Sequence, residues 1–291
     1  MAYNSGDTVL DPFGGLKDLK DGIVRTVGDP KERFKEDALR ILRGLRFACK
    51  YNFHIENGTM FAMFFQKDLL DNISAERIHD EIIRIFAYET VGELMQGFMP
   101  GAIINHIIPE FKYLNKQLFK LVGHNYLRNF LGLCAYLDED KVEAILTRLK
   151  FSNKDAKVIR LLRTEVRDSH LDTYYTVATL AHKLVDKEHY TPNEAWGMIT
   201  NVLLAQEDFL CMSRGNKYYF EANDVIKDVF DNGCYSLKQL AVDGNDMITL
   251  GYKGKQIAIA LEYLLEEVYS KRATNNKEAL LSLADNLLIR E

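Results

Sequence analysis

The stretch EDALRILRGLRF, Glu36 to Phe47, carries an aspartate followed by three arginines, each three residues after the last. An aspartate offers only acceptors, and an arginine offers a rigid fork of donors. Cytosine and adenine each place an amino donor beside an unprotonated ring nitrogen; uracil and guanine place a carbonyl beside a protonated one. A pair formed by Asp37 and Arg40 accepts from that amino group and donates to that ring nitrogen, so it takes C or A and refuses U and G. Arg43 and Arg46, further along, have the charge to bind triphosphate oxygens or to brace the first two residues.

Such chemistry needs a helix to carry it. With Arg40 at zero on a wheel of about 100° per residue, Asp37 falls at about 60°, Arg43 at about 300° and Arg46 at about 240°. Ala38, Leu42, Leu45 and Cys49 cluster on the other side, which predicts a core-facing stripe opposite a charged one. The residues alone leave a second reading open. Asp and Arg three apart commonly form exposed ion pairs contributing about 0.2–0.5 kcal/mol on a merely solvated face.

Only five prolines interrupt long runs of 3.6-period apolar residues, so the chain reads as mainly α. The start is the exception. TVLD, Thr8 to Asp11, follows the turn-like NSGD and reads as the second strand of a hairpin whose first strand lies in residues 1–4. Helices are expected near 36–50, 57–68, 74–88 and 91–97, with several more to about residue 206. SAER, Ser74 to Arg77, supplies an N-cap with Glu76 in the first turn, and TPNE, Thr191 to Glu194, supplies a capping box with proline at the first helical position. A break in character around Met212 to Asp224 sets off a separate C-terminal module, and no repeat or low-complexity tract occurs.

At 291 residues the chain has length for more than one core. No segment approaches the roughly 18 consecutive apolar residues of a membrane span. The four cysteines, Cys49, Cys134, Cys211 and Cys234, show neither metal-ligand spacing nor close pairing, a pattern that suits a reducing cytoplasm. A net charge of −5 argues against wholesale coating by nucleic acid but leaves room for a local basic groove. One such place is GYKGKQI, Gly251 to Ile257. Gly254 precedes a helix start with Lys253 and Lys255 beside it, an arrangement suited to a phosphate, though an ordinary glycine turn with solvated lysines has the same spelling. Lys271 and Arg272 are candidates to extend that patch. The sole His-Asp dipeptide, His79-Asp80, lies within a helix without the further ligands a metal needs.

The wider string DPFGGLKDLKDGIVRTVGDPKERFKEDALRILRGLRFACKYNFHIENGT resembles the class II bacterial CCA-adding tRNA nucleotidyltransferases of the poly(A) polymerase family. NISAERIHDEIIRIF is similar to the next neck-helix segment of that family, and LAVDGNDMITLGYKGKQIAIALEYLLEEV with NNKEALL to its tRNA-binding tail. The resemblance is strongest over residues 8–90 and 236–283. It implies an architecture of head, neck, body and tail: a β-hairpin remnant of the head at 1–30, a base-recognising neck at 31–97, a helical body at 98–212 and a tail at 213–291. It implies that C and A are added from CTP and ATP to the 3′ end of tRNA with release of pyrophosphate. Asp37 and Arg40 would then be the protein template for the base, with Arg43 and Arg46 lining the same site, and Lys253, Gly254, Lys255, Lys271 and Arg272 would meet RNA.

The sequence departs from that family in one respect. The head's Gly-Gly-x-Val-Arg-Asp loop and Arg-Arg-Asp motif are not found in the 291 residues, and no Asp-x-Asp pair for two magnesium ions occurs in a strand context. The nearest look-alike, Asp138-Glu139-Asp140, falls in a turn between helices. The expectation is therefore that Met1 is an internal position with roughly a hundred residues of head before it. The magnesium ligands would lie there, or on a separate head polypeptide, and this chain alone would be inactive. A poly(A)- or A-adding relative, and a non-catalytic tRNA-binding descendant, share the motifs that are present.

Overall fold

The computed structural model describes residues 2–3, 9–114, 125–168, 171–210 and 216–288. The chain packs as two compact units, Met1–Arg163 and Thr164–Glu291, and their boundary falls inside the region expected as the body.

The first unit opens on the anticipated hairpin. Strands β1 (Ala2–Tyr3) and β2 (Val9–Leu10) pair antiparallel, Ala2 opposite Leu10 and Tyr3 opposite Val9. The expected turn over Asn4–Asp7 lies outside the described residues. Asp11 then caps helix α1 (Gly15–Asp21): its carboxylate accepts from the amides of Leu16 (2.7 Å) and Gly15 (2.8 Å). These bonds, Leu16's foremost, hold the Asp11 carboxyl below the usual carboxylate range. Gly14 and Gly22 flank α1 at φ 71° and 66°, left-handed positions that glycine adopts without strain.

A second strand pair was not foreseen. Strands β3 (Ile23–Val24) and β4 (His54–Ile55) run parallel, and two-residue strands are too short to show alternation in sequence. Between them lie α2 (Pro30–Glu36), capped by the Asp29 side chain, and α3 (Leu39–Tyr51), closed by left-handed Asn52. Helix α4 (Asn57–Phe65) is capped by Glu56 on the amides of Gly58 and Thr59. Helices α5 (Ala75–Ile85), α6 (Val91–Gln96) and α7 (Phe98–Ile107) follow, then α8 (Tyr126–Cys134), α9 (Glu139–Arg148) and α10 (Asn153–Asp168). Ser74 stands at the start of α5 as expected, but its hydroxyl caps no amide.

Helix α3 supplies fully buried Ile41, Leu42 and Leu45, and α5 supplies Ile82 and Ile85. Fully burying such a side chain stabilises by about 1.5–3 kcal/mol. Phe86, Phe130 and Phe151 continue this core, with ring centroids 5.0 and 5.2 Å apart. At its margin Glu110, 8% exposed, receives Arg148 in a two-pronged pair at 2.5 and 2.8 Å.

In the second unit α11 (Tyr174–His182) runs into a π-helical turn at Lys183–Lys187, followed by α12 (Pro192–Leu210) and α13 (Asn216–Asn232). The capping box of α12 forms as read: the Thr191 amide donates to Glu194 at 3.1 Å, and the Glu194 amide to Thr191 Oγ1 at 3.3 Å. The break placed at Met212 falls outside the described residues up to 215. Helices α14 (Gly244–Thr249), α15 (Lys255–Tyr269) and α16 (Lys277–Leu288) bury Met247, Leu264, Leu280 and Ala284 between them. His182 joins α11 to α15, with Nδ1 at 3.0 Å from Asp186 and Nε2 at 2.8 Å from Glu262. Asp186 also accepts from the Ser236 hydroxyl (2.6 Å) and the Leu237 amide (2.7 Å), which ties in the segment before α14.

Cys49, Cys134 and Cys234 are buried, and burial pushes their thiols up to about 12, 12 and 11. They stay protonated and unreactive at neutral pH; Cys211 lies outside the described residues. Among the described residues no helix is long and apolar enough to cross a membrane.

Two glycines make opposite predictions. A Cβ at Gly101 meets the Met95 carbonyl oxygen at 2.5 Å, whereas one at Gly197 meets nothing within 4 Å. Gly101→Ala is expected to lower the unfolding free energy by about 1–3 kcal/mol, and Gly197→Ala, inside α12, to raise it by about 0.5–1 kcal/mol; denaturant melts compare the two.

The Glu110 pair predicts a pH dependence. Burial alone would raise the Glu110 carboxyl, but hydrogen bonds from Arg148 outweigh it and the net shift is downward from 4.5. A carboxyl depressed by folding contributes stability above its unfolded pKa and loses it as pH falls through the folded value. Arg148→Met is therefore expected to cost about 1–3 kcal/mol at neutral pH, with the gap to wild type closing below about pH 4. A gap that stays constant across that range in urea melts would rule out the charge pair as its source.

Candidate functional site

The charged stripe read from the sequence is split by a break in the backbone. Helix α2 ends at Glu36, Asp37 is extended (φ −154°, ψ 101°), and α3 begins at Leu39. The wheel that placed Asp37 on one continuous helix with Arg40 is corrected accordingly. The cause is local: the Asp37 carboxylate accepts from the Leu39 amide at 3.2 Å, the bond a capping aspartate makes at a helix start. Asp37 thereby stands at the mouth of α3 with both carboxylate oxygens near Arg77 Nη2 of α5, Oδ1 at 3.4 Å and Oδ2 at 3.5 Å.

Each arginine has a different environment. Arg40 Nη1 donates to Glu36 (2.7 Å) and to the Arg33 carbonyl (3.0 Å), while its Nε and Nη2 donors make no hydrogen bond among the described residues. The Arg40 amide donates to the Asp37 carbonyl at 3.1 Å, but no bond joins their side chains. Hydrogen bonds from Arg40 and then Arg33 hold the Glu36 carboxyl below its usual range, so Glu36 is ionised near neutral pH. Arg43 is exposed and pairs with no carboxylate among the described residues. Arg46 is mostly buried, 3.2 Å from Glu81 of α5, a contact of charge without the alignment of a hydrogen bond. Its guanidinium also lies 4.9 Å from the Phe47 ring centroid.

Three neighbours escaped the sequence reading: Glu36 as the partner of Arg40, Arg77 beside Asp37, and Glu81 under Arg46. A signal existed for the last two, because Arg77 and Glu81 sit four apart and so share one face of α5. His79 of the His-Asp dipeptide packs edge-on against Phe151, with ring centroids 4.8 Å apart. A cleft of about 540 Å³ beside α1, β3 and the second half of α3 is lined by Asp18, Arg25, Phe47 and Tyr51 among others. None of Asp37, Arg40, Arg43 and Arg46 lines it.

In the second unit Gly254 precedes α15 with φ 54° and ψ −124°, a conformation open to glycine and strained for other residues. Lys253 and Lys255 beside it are exposed. Lys271 and Arg272 follow the other end of that fifteen-residue helix, about 22 Å away at ~1.5 Å per residue. The structure therefore does not gather the five residues into one patch. Lys271 (φ 58°) lies over the Tyr174 ring at 4.4 Å, and Arg272 pairs with Glu267 at 2.8 Å.

Residues 52–114, from the end of α3 through α7, match the family described as the probable RNA and SrmB-binding site of polymerase A. The fold extends that likeness to nearly the whole chain. The CCA-adding enzyme of Bacillus stearothermophilus in complex with CTP superposes with a TM-score of 0.74 at 20% identity, covering 99% of this chain and 71% of that one. The Thermotoga maritima CCA-adding enzyme complexed with tRNA gives 0.62 at 18% identity, covering 98% and 69%. In sequence, the CCA-adding enzyme of Limosilactobacillus fermentum is 30% identical over 297 residues, 99% of this chain and 69% of that protein. That of Ligilactobacillus salivarius is 28% identical over 291 residues, with the same coverage. The chain belongs to the CCA-adding enzyme family, the nucleotidyltransferases that build CCA on tRNA.

The Arg46–Glu81 contact generates a test of the site's footing. Glu81→Gln leaves a largely buried guanidinium without its counter-charge. It is expected to lower the unfolding free energy by about 1–3 kcal/mol. Glu76→Gln, exposed on the same helix, is expected to change it by no more than about 0.5 kcal/mol. Thermal melts of the two variants check the difference.

Proposed function

We propose that this chain supplies base selection and RNA grip to CCA addition on tRNA, with CTP and ATP as the nucleotides selected. Asp37 accepts from the amino group of C or A, and Arg40 donates to the adjacent ring nitrogen. Arg43 meets the triphosphate, and Arg46, held by Glu81, keeps α3 seated on α5 beneath them. The observation that carries this reading is the break between α2 and α3. It presents a partly exposed carboxylate and an arginine with uncommitted Nε and Nη2 donors at the mouth of one helix. Glu36 holds Arg40 at Nη1 only, so the donors that face a base remain available.

RNA contact is assigned first to the segment 52–114, whose matched family is described as RNA-binding. The amides opening α15, with Lys253 and Lys255, suit a phosphate of the tRNA backbone; Lys271 and Arg272 form a second contact rather than an extension of the first. Transfer itself depends on paired magnesium ions. Among the described residues no group of three or more His, Cys, Asp or Glu side chains converges to hold a metal. We assign that role to the Asp-x-Asp strand of the family's head, with the reaction in the cytoplasm.

The test is nucleotide addition to tRNA with such a head polypeptide supplied. Loss of one base-facing group is worth about 1–3 kcal/mol. Arg40→Ala is thus expected to lower kcat/KM for CTP and ATP by about 10- to 100-fold, and Asp37→Ala to admit UTP and GTP. Unchanged addition and unchanged base choice in both variants would remove Asp37 and Arg40 from the template.

A further inference from the structure

We infer that the exposed phenylalanines of α4 and α7 form a stacking platform for unpaired nucleotides of the RNA substrate, an inference that rests on the tRNA reading above. Phe61, Phe65 and Phe98 are 52%, 72% and 78% exposed. They are not scattered. Phe61 and Phe65 sit four apart on α4 with rings nearly parallel, 14° and 6.5 Å between centroids. Phe64 joins them, 5.2 Å from Phe65 and 5.6 Å from Phe98. The Lys67 ammonium lies 5.3 Å from the Phe64 centroid at the edge of the group.

A contiguous exposed apolar group on a protein surface calls for an occupant, and three observations favour nucleobases. The first is composition: from residue 54 to 108 every exposed large apolar side chain is a phenylalanine, so the surface offers π-faces and no aliphatic ridge. Stacking on such faces is tolerant of sequence because every base has one. The second is orientation. The Phe61 and Phe65 rings lie within 14° of parallel with centroids 6.5 Å apart, so neighbouring bases stacked on them keep the near-parallel order of a single strand.

The third is size. Three phenylalanines at these exposures offer about 400 Å², half of the roughly 800 Å² per partner that a stable protein–protein interface buries. That area suits two or three bases and falls short for a second copy of the chain. Charge sharpens the expectation. Lys67 is followed by exposed Asp68 and Asp71, so the platform attracts phosphate weakly and works through the bases.

The experiment compares wild type with Phe61→Leu/Phe65→Leu and with Phe98→Leu. These keep apolar bulk on an exposed surface while removing the rings; Phe65→Trp keeps a ring. Fluorescence anisotropy measures binding to a tRNA whose 3′ strand ends in unpaired nucleotides, and to the same tRNA with that strand paired by a complementary oligonucleotide. The leucine variants are expected to bind the unpaired form about tenfold more weakly, by the same factor at low and high salt, with the paired form unaffected and Phe65→Trp at wild-type affinity. Equal binding by leucine variants and wild type, or equal loss toward both RNAs, would overturn the platform while leaving the tRNA reading intact. So would a wild-type dimer in sedimentation that the leucine variants dissociate without change in RNA affinity. Failure of wild type to bind either RNA would overturn the tRNA reading itself, and the platform with it.

Discussion

The first unit depends on the seating of α3 against α5. Ile41, Leu42 and Leu45 have no exposure on one side of α3, and Ile82 and Ile85 none on the facing side of α5. Burial of this kind fixes the rotation of a helix about its axis, because a turn of even one residue would carry an apolar side chain into water and an arginine into the core. Once that rotation is fixed, the three arginines have no freedom in where they emerge. Arg46, nearest the seam, is drawn down to Glu81, while Arg40 and Arg43 stand progressively clear of it.

The chemistry of the site follows from that graded placement. A guanidinium that is largely buried and faces a carboxylate is a structural cation, since removing either partner strands the other. One that shares Nη1 with Glu36 while exposing Nε and Nη2 is held in direction without being used up. An exposed one without a carboxylate partner is free to follow an anion. Three identical residue types on one helix therefore have three different parts, decided by depth and by which carboxylate, if any, each one meets. Asp37 belongs to the same logic from the other end: the cap that starts α3 also aims its carboxylate, so the helix boundary and the acceptor are a single feature.

The second unit has its own pivot in His182, held from both ring nitrogens by Asp186 and Glu262. Asp186 reaches on to Ser236 and Leu237, so one imidazole and one carboxylate lock α11, α15 and the approach to α14 together. That arrangement holds α15 by its middle and leaves Gly254 and its lysines exposed at one end. Lys271 and Arg272 sit at the other end, already engaged with Tyr174 and Glu267.

Much of this was legible in the residues themselves. Apolar period, caps and turn chemistry are local properties, so the α-rich class, the opening hairpin, the capping box at Thr191 and the buried face of α3 could all be read without coordinates. So could the donor and acceptor chemistry of an aspartate three residues before an arginine. Other features depend on groups far apart in sequence, and no local pattern contains them. The parallel pairing of β3 with β4 joins residues about thirty apart, Arg77 approaches Asp37 across forty positions, and the four phenylalanines gather from two helices. The helix break at Asp37 is an intermediate case. Its capping bond spans two residues and was open to a reader of the sequence, yet the unbroken charge period through Glu36–Arg46 spells a continuous helix equally well. Sequence by itself thus determined which side chains had the chemistry; the tertiary structure decided which were buried, paired or left free, because depth and partnership are set by what the rest of the chain packs against them.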